Sequence, residues 1–121
     1  MSTVGAQMNT VGLILYPATD MAKTTKFFAT WLGTEPYVES PYYTGFKPGD
    51  VEIGLVPQGA TSASGALAYV DVTDIKAAVA ALVAAGGEIT QDVTDVAEGL
   101  LVASVKDPSG LPVGLRQKPN A

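Results

Sequence analysis

Three charged residues interrupt apolar runs of this chain: Glu52 in VEIGLV, Asp71 in LAYVDV and Arg116 in LPVGLR. A carboxylate desolvated in a cavity can act as an acid or a base, and that is the chemistry open to Glu52. The plainer reading is a polar residue at a sheet end, paired with a Lys or Arg. Arg116 can grip a carboxylate or phosphate in a bidentate fork, or stand on a solvated face near the chain end. Asp71 can accept a hydrogen bond from a cationic or hydroxyl ligand, or serve the loop ahead of Asp74. The stretch PYVESPYYTGF adds Tyr37, Tyr42, Tyr43 and Phe46. Tyrosines offer flat contact area with a polar tip and suit the wall of an aromatic-ligand site. They suit a strand pair or a subunit interface equally well.

Composition removes several alternatives. The chain has no His and no Cys. That excludes a His-containing triad, a thiolate nucleophile, and zinc or iron sites built on His or Cys. A magnesium or calcium site made of carboxylates is not excluded on this ground. The net charge is −5 without a basic run, which argues against nucleic acid and against an anionic membrane as partners. No apolar run reaches membrane-spanning length, no signal-peptide pattern opens the chain, and a cytoplasmic location is expected. Residues 1–8 read as a loose end.

The elements that must position these side chains follow from periodicity. Val11 to Tyr16 reads as a strand, and Asp20 as the N-cap of the helix MAKTTKFFATWL. Met21, Thr24, Phe27, Phe28, Trp31 and Leu32 form its apolar face, and Gly33 ends it. Trp31 is expected in core or subunit packing. Short strands follow at Glu35 to Val38, Tyr42 to Phe46 and Val51 to Val56. Residues 58–65 read as a linker. The pattern then restarts with a strand at Leu67 to Val72, Asp74 capping IKAAVAALVAA, and Gly86-Gly87 closing it. Strands at Glu88 to Thr94, Leu100 to Lys106 and Leu111 to Arg116 complete the second pass, with turns at Asp95 to Gly99 and at DPSG.

The two passes match in place. Asp20 and Asp74 stand 54 residues apart, as do Gly33 and Gly87. Beyond a longer turn the offset becomes 60, so that VEIGL at 51–55 matches LPVGL at 111–115. The expected organisation is α+β: a single domain over residues 1–121 with modules 9–57 and 66–117, each βαβββ. Modules this small must pair to bury their sheets, within one chain or across two.

In these features the chain resembles the vicinal oxygen chelate superfamily of glyoxalases, bleomycin-resistance proteins and extradiol dioxygenases. The carrying residues are Asp20-Met21, Phe27-Phe28 and Leu32-Gly33 in the first half. In the second they are Val70 to Ile75, Ala85-Gly86-Gly87 and Asp107-Pro108-Ser109-Gly110. The resemblance implies a curved mixed sheet around a cavity, with helices outside, and a homodimer. Metal-dependent members carry His, Gln or Glu on the first and last strand of each module. The matching positions here are Leu13, Gly54, Leu67 and Gly114, none of which offers a side-chain oxygen or nitrogen. No metal and no cofactor are therefore expected.

Side chains alternate along strands. If those four positions face the cavity, Leu15, Glu52 and Val56 face it too, and so do Tyr69, Asp71, Pro112 and Arg116. The opposite parity, Tyr16, Ile53, Leu55, Val70, Val72, Val113 and Leu115, is left to pack on the helices. The expected function is metal-independent binding of a small, partly apolar or aromatic molecule. The expected ligand contacts are Glu52, Tyr69, Asp71, Arg116, Tyr37, Tyr42, Tyr43 and Phe46. One alternative is a transition-metal-free isomerase or lyase using Glu52 or a tyrosine. The other is a structural or regulatory subunit whose cavity is filled by side chains.

Overall fold

The computed structural model describes residues 9–61 and 63–119; residues 1–8 lie outside this range. Strand β1 (Thr10–Ala18) leads to helix α1 (Met21–Leu32), then β2 (Val38–Glu39), β3 (Thr44–Phe46) and β4 (Glu52–Pro57). The second pass is β5 (Leu67–Asp71), α2 (Ile75–Ala84), β6 (Glu88–Ala97), β7 (Leu100–Lys106) and β8 (Pro112–Gln117). The fold is α+β, with two βαβββ modules forming one open, mixed sheet flanked by two helices.

The eight strands run in the order β2-β3-β4-β1-β5-β8-β7-β6. Each module pairs its first and last strands in parallel, β1 with β4 and β5 with β8. The modules join through antiparallel β1 and β5, Leu13 opposite Tyr69 and Leu15 opposite Leu67. The two halves therefore pair within one chain, the point that the repeat alone left open.

Both helices start as the sequence predicts. The Asp20 carboxylate accepts from the Lys23 amide at 3.0 Å, and the Asp74 carboxylate from the Ala77 amide at 3.1 Å. Each supplies a partner to an otherwise orphaned N–H of the first turn. Gly33, at φ 70°, closes α1 in the left-handed region that favours glycine.

The outer face of the sheet carries two apolar clusters, one under each helix. Phe46, Ile53 and Leu55 pack with Ile14, Tyr16, Met21, Phe28 and Leu32. Ala103, Val105 and Leu115 pack with Ile75, Val79, Val70 and Val72. Val113 departs from the expected set and is 41% exposed. On α1 the buried stripe is narrower than the one read from the sequence. Thr25 is buried, while Phe27 and Trp31 are 71% and 61% exposed. Each stands one residue, or about 100°, ahead of the inward Phe28 and Leu32. Trp31 thus meets Phe28 edge-on at 5.4 Å without entering the core.

Several strands differ in length from their expected ranges. β1 lengthens to Thr10–Ala18, the first hairpin strand shortens and shifts to Val38–Glu39, β3 shortens to Thr44–Phe46, β5 stops at Asp71, and β6 runs to Ala97 with its turn at Glu98-Gly99. Residues of the linker also pack: Ala63 lies against Leu13, Leu67 and Tyr69. No helix among the described residues is long and apolar enough to cross a membrane.

Candidate functional site

The inner face of the sheet bounds a cavity of about 650 Å³. Tyr37, Tyr42 and Tyr43 enter it from one end of the sheet, Gln91 and Val96 from the other. Strands at opposite ends can share one cavity only if the sheet curls around it. Its floor is Leu13, Leu15 and Tyr69, side chains of the two central strands.

A row of directly paired residues crosses this floor. Glu52 lies opposite Leu13, Leu13 opposite Tyr69, and Tyr69 opposite Gly114. Alternation along the strands puts Val56 and Arg116 on the same face, and both line the cavity.

Glu52 is held by two tyrosines. Tyr37 donates its hydroxyl to Oε2 at 2.5 Å, and Tyr43 donates to the same oxygen. Both phenols ionise above the ordinary tyrosine range. Desolvation is the larger cause for each, followed by the hydrogen bond to Glu52, and Tyr37 is pushed up to about 12. Burial alone pushes Tyr69 upward.

Asp71 and Arg116 meet as a bidentate pair, Nε to Oδ1 at 2.6 Å and Nη2 to Oδ2 at 3.0 Å. The hydrogen bond to Asp71 raises the guanidinium's proton affinity further, against the opposing effect of burial. The pair lies against β1 at Gly12. A Cβ there would collide with the Asp71 carboxylate and stand 2.6 Å from Arg116 Nη2. Arg116 borders the cavity; Asp71 borders a smaller polar recess beside it, shared with Glu52, Lys47 and Lys118.

Phe46 is a correction to the expected wall. It is fully buried on the helix side with Ile53 and Leu55, and Ile53 is its partner across β3 and β4. Period-two alternation sends Phe46 and Tyr43 to opposite faces, a constraint that treating the aromatics as one group ignores. Pro112 is only partly buried and does not line the cavity. Sequence reasoning missed Gln91, Val96 and Val102, which line it. Extending the parity rule to β7 would have found Val102, because it pairs with Arg116.

The positions matched to metal ligands do not fit a metal. The Leu13 and Leu67 side chains are buried with Tyr69 in an apolar cluster. A Cβ at Gly54 would lie 2.6 Å from the Tyr43 ring, and one at Gly114 2.5–2.7 Å from three atoms of the Tyr69 ring. In each module a tyrosine ring covers the glycine that was matched to a ligand position. Packing a ring across a strand glycine restores contacts that the missing side chain forfeits. Among the described residues no cluster of three or more Asp or Glu could hold a metal ion, and the sequence contains no His or Cys.

A model of the Glyoxalase/Bleomycin resistance protein/Dioxygenase superfamily matches residues 10–115. The chain belongs to that superfamily. Solved structures match its fold at low identity. The NAD-dependent benzaldehyde dehydrogenase from Legionella pneumophila is 20% identical, with a TM-score of 0.69 over 87% of this chain and 96% of that one. A superfamily member from Vibrio splendidus 12B01 is 19% identical, with a TM-score of 0.66 over 91% and 98%. The methylmalonyl-CoA epimerase (Q60A) of Streptomyces coelicolor, in complex with 2-nitronate-propionyl-CoA, is 14% identical, with a TM-score of 0.68 over 94% and 100%. At these identities the likeness is one of fold. No curated protein matches the chain in sequence.

The tyrosine shifts give a testable pH dependence. A raised folded-state pKa means that the folded protein keeps protons that the unfolded chain has released. Stability is therefore intact below about pH 10 and falls as pH rises toward the folded values. Alkaline absorbance titration should show a tyrosine fraction ionising well above pH 10, reduced in Tyr37→Phe and again in Tyr43→Phe. Ionisation of all five tyrosines together near pH 10 would contradict the site geometry.

Proposed function

We propose that the protein binds a small, partly aromatic molecule in the sheet cavity without using a metal. The observation carrying this reading is the cavity itself: about 650 Å³ of open space, in the range of small-molecule sites. Apolar and aromatic walls surround a few polar groups, the composition that suits burial of an apolar body with fixed orientation. Open space at this position favours binding over a structural subunit whose cavity is filled. The epimerase complex offers precedent for a small-molecule ligand on this fold. The ligand contacts in this reading are Glu52, Tyr69 and Arg116, with Tyr37, Tyr42 and Tyr43 as walls and Asp71 holding Arg116. A homodimer is the proposed assembly, supported by the exposed Phe27 and Trp31 on α1.

An acid–base role for Glu52 is less well supported. One carboxylate oxygen already accepts from two phenols, so half of its acceptor capacity is committed before a substrate arrives.

The test is to fill the cavity. Leu13→Trp places an indole on the floor, and titration with an environment-sensitive aromatic dye reads occupancy. The expected result is saturable binding by the parent protein and a loss of at least about tenfold in affinity for the variant. Equal binding by a folded Leu13→Trp protein would remove the cavity as the site.

A further inference from the structure

Resting on the reading that this cavity binds a small molecule, we infer that the ligand is an organic cation, a protonated amine on a flat apolar body. Its ammonium would meet the Glu52 cluster. Tyr37 and Tyr43 each own one hydroxyl proton, and both are donated to Glu52 Oε2. An ionised carboxylate only accepts. The cluster therefore presents acceptors alone: the carboxylate and two phenol oxygens. A ligand group that meets it must bring the protons, and an ammonium brings three.

Charge points the same way. Arg116 is the cation lining the cavity among the described residues, and Asp71 neutralises it through two hydrogen bonds. Glu52 itself has no ion-pair partner among the described residues. Arg116 feels its charge at longer range, but no cation among the described residues caps the carboxylate directly, and its remaining acceptor sites stay open to the cavity. The surrounding tyrosine rings suit a cation too, because a phenol donating to an anion has a more electron-rich face. Lys47 already demonstrates the preference: its ammonium sits 4.4 Å from the centre of the Tyr37 ring. Lys47 borders the neighbouring recess and not the cavity.

The other end of the floor supplies a second contact. Tyr69 is 3% exposed and lines the cavity. Its hydroxyl has no hydrogen-bond partner among the described residues, and buried tyrosine hydroxyls usually find one. Glu52 and Tyr69 stand two strands apart across Leu13, roughly 10 Å between their backbones at sheet spacing. Their tips lean outward, Glu52 Oε2 toward Gly45 and the Tyr69 ring over Gly114, so the ligand needs an aromatic bicycle lengthened by a short arm. The ligand then carries its ammonium at the Glu52 end, apolar surface over Leu13, and a hydroxyl or similar polar atom at Tyr69.

Calorimetric titration of the whole protein with a matched naphthalene series tests this. The probes are 2-(2-naphthyl)ethylamine, 2-(2-naphthyl)ethanol, 3-(2-naphthyl)propanoate, and the amine bearing a 6-hydroxyl. The amine should bind at least about tenfold tighter than the alcohol and the carboxylate. Glu52→Gln should erase that preference by weakening the amine far more than the alcohol. Tyr69→Phe should keep the preference but remove the gain from the 6-hydroxyl. Binding of the alcohol as tight as the amine, or tighter binding of the carboxylate, would overturn the cation assignment and leave the cavity as a binding site. Failure of all four probes at millimolar concentration would count against both the assignment and the site.

Discussion

Asp71→Ala should destabilise the fold by about 2–3 kcal/mol, because it strands a buried guanidinium. The Arg116 side chain is only 10% exposed, against 27% for Asp71. Both of its Asp71 contacts would be lost together, and β1 closes that side at Gly12, where even a Cβ does not fit. Removing one partner of such a pair costs more than the pair contributes, since the remaining charge keeps its desolvation penalty. The double variant Asp71→Ala/Arg116→Met should therefore recover much of the loss. Urea denaturation of both proteins measures this. A loss under about 0.5 kcal/mol, in the range of an exposed ion pair, would mean that water reaches the guanidinium freely.

Gly114→Ala carries the second large effect. Its new methyl group would stand 2.5–2.7 Å from the Tyr69 ring. Tyr69 is buried between Leu13, Leu67 and the facing strand, so the ring cannot simply swing into solvent. Overpacking of this kind costs about 1–3 kcal/mol. The diagnostic is non-additivity: once Tyr69→Ala has removed the ring, adding Gly114→Ala should cost almost nothing. A glycine important only for backbone freedom would show the same loss in both backgrounds. The same logic applies to Gly54 beneath Tyr43. Restoring a carboxylate at either glycine, as a metal site would require, means first evicting a tyrosine.

What the sequence revealed of this architecture was local or periodic. Asp20 and Asp74 announced both helices because capping depends on residues three apart. The alternation in VEIGLV and LPVGLR announced which face each strand gives to the helices, and the repeat of those strands announced two modules. Gly54 and Gly114 were legible as losses of ligand atoms. What replaced those atoms was not. Tyr43 reaches Glu52 across nine residues and Tyr37 across fifteen, and Tyr69 covers Gly114 from another strand. Such contacts depend on strand order and on how each ring leans, neither of which has a sequence period. Phe46 shows the converse: its place on the helix side was available from alternation, but grouping it with the tyrosines hid it. The pairing of Asp71 with Arg116 joins residues 45 positions apart. Each was visible alone, and only their register in β5 and β8 makes them one unit.

The proposed function is a cavity that binds without metal, with tyrosine rings over Gly54 and Gly114. Native mass spectrometry of freshly purified protein, before and after denaturation, tests it most directly when metal content is measured on the same sample. The expected result is an organic adduct at stoichiometric level that is lost on denaturation, with no accompanying metal. Near one equivalent of a transition metal per chain, surviving in the folded protein, would contradict it and return attention to the carboxylates of Glu52 and Asp71.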